Sequence, residues 1–252
     1  MTQPVLRFAP SPNGALHLGH ALSALTGYEL ARRLGGRFLL RIEDIDRERC
    51  REEHVADLCR DLAWLGISWQ EPVLRQSEHF ASYRAAADRL TAMGMLYPCF
   101  ASRKEIAAAA RTASGGCRLD PDGAVRNPGL HRHLSADEVA RRLAQGELAA
   151  QRLHMDRAVA LARAKAGGEI GFTELHADLT AGPIQCRPER WGDAVIVRKE
   201  WPTSYHLAVV VDDARQGITH VTRGSTCWPR PTCIACCRSF STCPSRCTGT
   251  TS

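Results

Sequence analysis

The chain has 252 residues, of which 44% are hydrophobic and 24% charged, and a net charge of +6 with an isoelectric point near 8.8. That length buries roughly three quarters of the unfolded surface, enough for one substantial core with an appended lobe, and the mild basic excess suits an anionic partner without demanding one. The start, Met1 to Phe8, has neither a cationic opening nor an apolar run, and nothing approaches membrane-spanning length, so a cytoplasmic protein with no membrane contact is expected.

Val5, Leu6 and Phe8 read as the end of a short strand. Pro10, Pro12 and Gly14 then forbid regular structure, and from Ala15 to Leu34 the apolar residues fall at helical spacing. The helix opens with His17-x-Gly19-His20. The first N–H groups of a helix lack internal partners and carry partial positive charge, so this strand–turn–helix entrance suits an anion. Gly19 leaves room for a base or ribose, and two imidazoles three apart share a face from which to donate to phosphate oxygens.

Arg37 to Ile42 read as a buried strand running into the charged segment Glu43 to Arg49. Asp44 or Asp46 can cap the next helix, whereas carboxylates at the C-terminal end of a parallel strand also face the ligand crevice of a doubly wound fold. Residues 50–66 form an amphipathic helix closed by Gly66, with Cys50 and Cys59 as small apolar fillers. Gln76 to His79, followed by Tyr83, Ala86, Leu90 and Met93, make another helix.

Tyr97 to Ala101 open a segment of different composition. Ser102 and Glu105 form a capping box before an Ala-rich helix, residues 112–133 show no periodicity, and Ser135 and Glu138 box a basic helix that runs through Leu143. Residues 147–180 suggest a small lobe of short elements. A strand is expected over Gly192 to Arg198, a hairpin turn at Lys199 to Pro202, and a continuous β-branched strand covered on both faces over Leu207 to Val211. Gly217 to Gly224 supply the next strand and turn. The expected organisation is a first half of a nucleotide-binding domain (1–97), an insertion (98–190), the second half (191–224) and an aberrant tail (225–252).

The run from Arg7 to His20 resembles the signature of class I aminoacyl-tRNA synthetases of the glutamyl branch, and Arg41-Ile42-Glu43-Asp44-x-Asp46-x-x-Arg49 is similar to that branch's next motif. Leu16, Ala21 and Ile45 resemble the short glutamyl-Q tRNA(Asp) synthetase family within it. The resemblance implies an α/β fold: a Rossmann-like class I synthetase catalytic domain with an inserted smaller lobe, C-terminally truncated. It implies catalysis by His17 and His20; ATP held by Pro12, Gly14, His17, Gly19 and His20; and L-glutamate held by Arg7, Ser11, Glu43, Tyr205 and Arg223. A guanidinium fork such as that of Arg223 pairs both oxygens of a carboxylate and rejects the amide of glutamine.

By the same resemblance ATP is a substrate with Mg²⁺ as charge neutraliser, the acceptor is queuosine in the anticodon loop of tRNA(Asp), and the protein acts as a monomer. The family's structural zinc is not expected. Only Cys99 and His131 match its ligand positions, with Ala101 and Asn127 where a Cys and a Tyr would stand, and four ligands are wanted. Two rivals differ in class: a truncated glutamyl-tRNA synthetase, and a non-catalytic glutamate- or RNA-binding paralogue.

Residues 225–252 hold six of the eleven cysteines and no Leu, Val, Asp or Glu. A zinc knuckle or a disulfide cluster could use such residues, but neither explains a break in composition right after a matched motif. A wrong reading frame does, because Cys and Trp codons shifted by one base give Leu, Met or Val; the encoding DNA decides it. The family's Lys-x-Ser-Lys loop is absent from the sequence. Losing one such preorganised donor costs about 3–4 kcal/mol, so the chain as written is expected to activate glutamate poorly.

Overall fold

A computed structural model describes residues 3–176 and 178–222. Its first layer is a parallel sheet in the order β1-β2-β3. β1 (Val5–Phe8) leads through α1 (Leu18–Arg33) to β2 (Arg37–Ile42), and α2 (Glu52–Trp64) leads to β3 (Gln70–Arg75). β2 lies in the middle, in register Val5 to Arg37 with β1, which is why Phe38, Leu39, Leu40 and Ile42 are all buried. Leu6, Phe8, Leu40 and Ile42 pack with Ala24 and Leu30 of α1 and with Leu58 and Leu62 of α2.

Beyond β3 the expected helix starts later than its polar prelude. Gln76–Glu78 form a single 3-10 turn, and α3 (Phe80–Ala92) begins after it. Asp44 causes the break: its carboxylate accepts from the Ser77 N–H at 2.8 Å and from the Ser77 hydroxyl at 2.8 Å. The expected capping of the next helix by Asp44 or Asp46 does not occur: the N-cap of α2 is Arg51, with no side-chain cap bond, and Asp44 reaches across to Ser77 instead.

β4 (Leu96–Cys99), α4 (Arg103–Thr112), α5 (Ala136–Ala144), β5 (Ala150–Leu153), α6 (Met155–Ala166), β6 (Gly171–Leu175), β7 (Ala181–Gln185) and β8 (Val195–Val197) follow. Ser102 and Glu105 make both bonds of their capping box, whereas at α5 only the Ser135 side chain is engaged, accepting from the Glu138 N–H. β4, β5 and β8 form an antiparallel sheet, and β6 and β7 a hairpin. The strand expected over 192–198 thus pairs with β5 and does not join the parallel sheet. The chain regains that sheet later, where the N–H groups of Thr219 and His220 both donate to the Val5 carbonyl.

Leu207 to Val211 are not a strand. They lie within α7 (Tyr205–Arg215), whose N-cap position is Ser204 without a side-chain cap bond. A short apolar run looks the same in a buried strand and a buried helix, and here burial on several sides settles the matter: Leu207, Val209 and Val210 pack with Tyr83, Leu90, Met155 and Ile196. The helical step also separates Asp212 and Asp213 by about 100°, so the two reach different elements.

Candidate active site

The loop after β1 is tied to the segment after β2 by its own carbonyls. Pro10 accepts from the Glu43 N–H at 2.9 Å and Pro12 from the Arg51 N–H at 3.3 Å. Ser11 is exposed, Pro12 buried and Gly14 half-buried. The loop that opens α1 and the Glu43 segment are therefore one unit of backbone.

His17 is the N-cap of α1. Its Nδ1 accepts from the Gly19 N–H at 3.1 Å, while its own N–H donates to His20 Nδ1 at 3.3 Å. The rings stack with centroids 3.7 Å apart. Because each Nδ1 accepts from the backbone, the proton of each neutral ring sits on Nε2, and both imidazoles are fixed as Nε2–H donors. Burial, then the neighbouring His17, pushes the His20 pKa below 6.5, which keeps that ring neutral.

Glycine at position 19 also has a use within the protein itself. A Cβ there would stand 3.0 Å from His17 Cε1 and 3.1 Å from Nδ1. Gly19→Ala is accordingly expected to push the His17 ring out of its cap and weaken binding of a glutamyl-adenylate analogue about ten- to a hundredfold, the worth of one hydrogen bond to a charged group. Thermal stability should change little, since the lost cap offsets the better helix propensity of Ala. Calorimetric titration and thermal melting read both.

Below this entrance lies a buried charge cluster. Arg41, fully buried on β2, donates from Nη1 to Asp213 Oδ1 at 2.8 Å and to Gln216 Oε1 at 3.0 Å, and from Nη2 to Glu43 Oε1 at 3.3 Å. Arg7 donates from Nε to the same Asp213 oxygen at 3.2 Å. Beside it Asp212 accepts from Gln76 Nε2 at 2.8 Å and from the Tyr83 hydroxyl. Burial raises the Glu43 pKa against the opposing pull of Arg41 and Arg7, and burial likewise raises that of Asp212. Glu43 keeps 9% of its side-chain surface and Arg7 6%, whereas Arg41 and Asp213 are closed off at 0% and 1%.

The structure thus brings Arg7 and Glu43 into one cluster, held by Arg41 and Asp213. Sequence reasoning missed these two and Gln76, Tyr83 and Asp212; the only signal was a charged residue inside each apolar run. Tyr205 stands half-buried at the start of α7, packed against the second core and edge-on to His206. Arg223 and residues 225–252 lie outside the described residues.

Cys99 and His131 do meet, Sγ to Nδ1 at 3.9 Å. Both side chains are engaged by neighbouring protein groups. His131 Nδ1 also accepts from the Phe100 N–H, its Nε2 faces Arg142, and the Asn127 amide donates towards Cys99 Sγ. Cys117 and His133 are exposed, and no group of three or more His, Cys, Asp or Glu suited to a metal occurs among the described residues. No helix among those residues is long and apolar enough to cross a membrane.

Residues 4–241 match the family described as tRNA synthetases class I (E and Q), catalytic domain, and the chain belongs to that family. Within it, the chain is 46% identical over 234 residues to the glutamyl-Q tRNA(Asp) synthetase of Rhodobacter capsulatus, covering 91% of this chain and 79% of that one. It is 44% identical over 227 residues to the enzyme of the same name from Symbiobacterium thermophilum, covering 86% of this chain and 64% of that one. A crystal structure of a glutamate tRNA ligase from Elizabethkingia meningosepticum, in complex with its amino acid, superposes with a TM-score of 0.77 at 25% identity, and this chain spans 49% of its length. The Rossmann-like class I fold expected from the sequence is the one observed.

Proposed function

We propose that the chain activates L-glutamate with ATP and passes the glutamyl group to queuosine in tRNA(Asp). The observation that carries this reading is the joining of the paired Nε2–H donors of His17 and His20 to Glu43 through the Pro10–Glu43 backbone bond. The α-carboxylate of glutamate attacks the α-phosphorus of ATP in line, and pyrophosphate leaves. His17 and His20 donate to the phosphate oxygens as charge builds on them, and Pro12, Gly14 and Gly19 hold ATP beside them. Glu43 takes the substrate ammonium, and Arg7, Ser11, Tyr205 and Arg223 hold the rest of the amino acid. Mg²⁺, carried with the triphosphate, supplies charge neutralisation. A hydroxyl of the modified base then attacks the acyl carbon and AMP departs.

The two relatives named glutamyl-Q tRNA(Asp) synthetase support this acceptor. A relative named glutamate–tRNA ligase, from Heliobacterium modesticaldum at 38% identity, supports the rival acceptor, a tRNA 3′ end; the chain spans 42% of its length. Labelled glutamate offered with tRNA(Asp) bearing queuosine, tRNA(Asp) lacking it, and tRNA(Glu) separates the two. The ratio of label decides, whatever the absolute rate: the proposal expects label on the queuosine-bearing tRNA(Asp) alone. Label on tRNA(Glu), or equal label on both forms of tRNA(Asp), refutes it.

A further inference from the structure

Arg118 and Arg126 stand opposite each other in a small hairpin that no part of the adenylate site uses. The Arg126 N–H donates to the Arg118 carbonyl at 2.9 Å, Leu119 bridges to Val125, and the Asp120 N–H donates to the Ala124 carbonyl at 2.8 Å. Residues paired this way have Cβ atoms about 5 Å apart, and like charges so placed repel. Among the described residues neither guanidinium has an acidic partner. Arg118 makes one weak bond, from Nε to the Gly115 carbonyl at 3.4 Å.

Both arginines line one cavity of about 290 Å³, together with Arg132, Asn127, Gly192 and Asp193. Its single acid is already engaged: Asp193 accepts from the Tyr97 hydroxyl at 2.9 Å and the Met155 N–H at 3.1 Å, and faces Arg132 at 3.6 Å. Arg126 is held into the cavity by the bare backbone of Gly192, where a Cβ would meet its Nε at 2.7 Å. The surrounding segment, residues 102–133, carries six Lys or Arg against three Asp or Glu. A cavity that presents two unneutralised, register-matched guanidinium forks suits an oxyanion that bridges them, and bidentate pairing with phosphate is among the strong bonds such forks make.

We propose that this hairpin cavity binds a phosphate oxyanion, supplied by the backbone of the RNA acceptor or by a small phosphate compound. The first source rests on the tRNA reading above. The test compares the full chain with the double variant Arg118→Gln, Arg126→Gln and with a charge-matched control, Arg33→Gln, Arg60→Gln, on exposed faces of α1 and α2. Three ligands are titrated: fluorescein-labelled tRNA(Asp) over a range of salt, AMP with inorganic phosphate, and a glutamyl-adenylate analogue.

If RNA fills the cavity, the double variant lowers the slope of log affinity against log salt by about one to two while the control does not. If a small phosphate fills it, AMP or phosphate binding weakens about tenfold or more and the RNA slope stays. Either result supports the site and names the source. Unchanged RNA slope together with unchanged or undetectable phosphate binding overturns it. The analogue keeps the two readings apart. Retained analogue binding beside an unaltered RNA slope and unchanged phosphate binding sinks the cavity alone, while loss of analogue binding in the unmodified chain sinks the adenylate site.

Discussion

Replacing Asp213 by Asn is expected to cost the fold about 3–5 kcal/mol, the usual loss when one partner of a buried ion pair is removed and its cation stays behind. The effect is large because Asp213, 1% exposed, is shared by two arginines that are themselves 0% and 6% exposed. Arg41 has no exposed surface and neither guanidinium sheds its proton, so with Asp213 neutral Arg41 keeps only Glu43, at 3.3 Å, and the neutral Gln216. A domain typically has only about 5–15 kcal/mol in hand, so the melting temperature should fall by roughly 10 °C. The comparison is Asp57→Asn, which breaks a surface pair with Arg60 on α2 that is 44% and 72% exposed. That change is expected to stay within about 1 kcal/mol. Equal urea midpoints for the two variants would show that the buried cluster is not what holds β1, β2 and α7 together.

Replacing Glu43 by Gln is expected to weaken glutamate binding about ten- to a hundredfold, the difference between a charged and a neutral acceptor for the substrate ammonium. The pH dependence makes the prediction specific. Burial holds Glu43 above its ordinary value of 4.5 despite Arg41 and Arg7. Glutamate affinity should therefore decline, as pH falls, at a higher pH than an ordinary Glu would set, and the decline should vanish in the Gln variant. Stability runs the other way. Glu43 and Asp212 bind protons more tightly in the folded chain, so their contribution is complete below the ordinary values of 4.5 and 3.8 and is lost as pH rises through the raised ones. Titration calorimetry of glutamate from the ordinary Glu value up to neutrality reads the binding limb. A Gln variant that binds as tightly and with the same profile removes Glu43 from the site.

β1, β2 and the two serine caps were legible because each rests on local rules: a run apolar on both faces, or an oxygen placed to meet the third N–H of a helix. α7 was not, since Leu207 to Val211 satisfy a buried strand and a buried helix alike and only the elements packed around them decide. The cluster at Arg41 was hidden for a different reason. Its partners stand 172 and 206 positions apart in the chain, and nothing local pairs Arg41 or Arg7 with Asp213. The His17–His20 motif was visible at the start of α1, but not the bonds that hold its two rings. Backbone N–H groups fix both imidazoles as donors, and Gly19 is small so that His17 can lie over it.

The central claim is that the α1 entrance and Glu43 form one site for both halves of glutamyl-adenylate. Competition calorimetry with a sulfamoyl analogue of that adenylate tests it most directly. The account predicts that the analogue displaces ATP and glutamate alike, and that Gly19→Ala and Glu43→Gln each weaken it. An analogue that displaces only one of the two ligands, or that feels only one of the two substitutions, contradicts it.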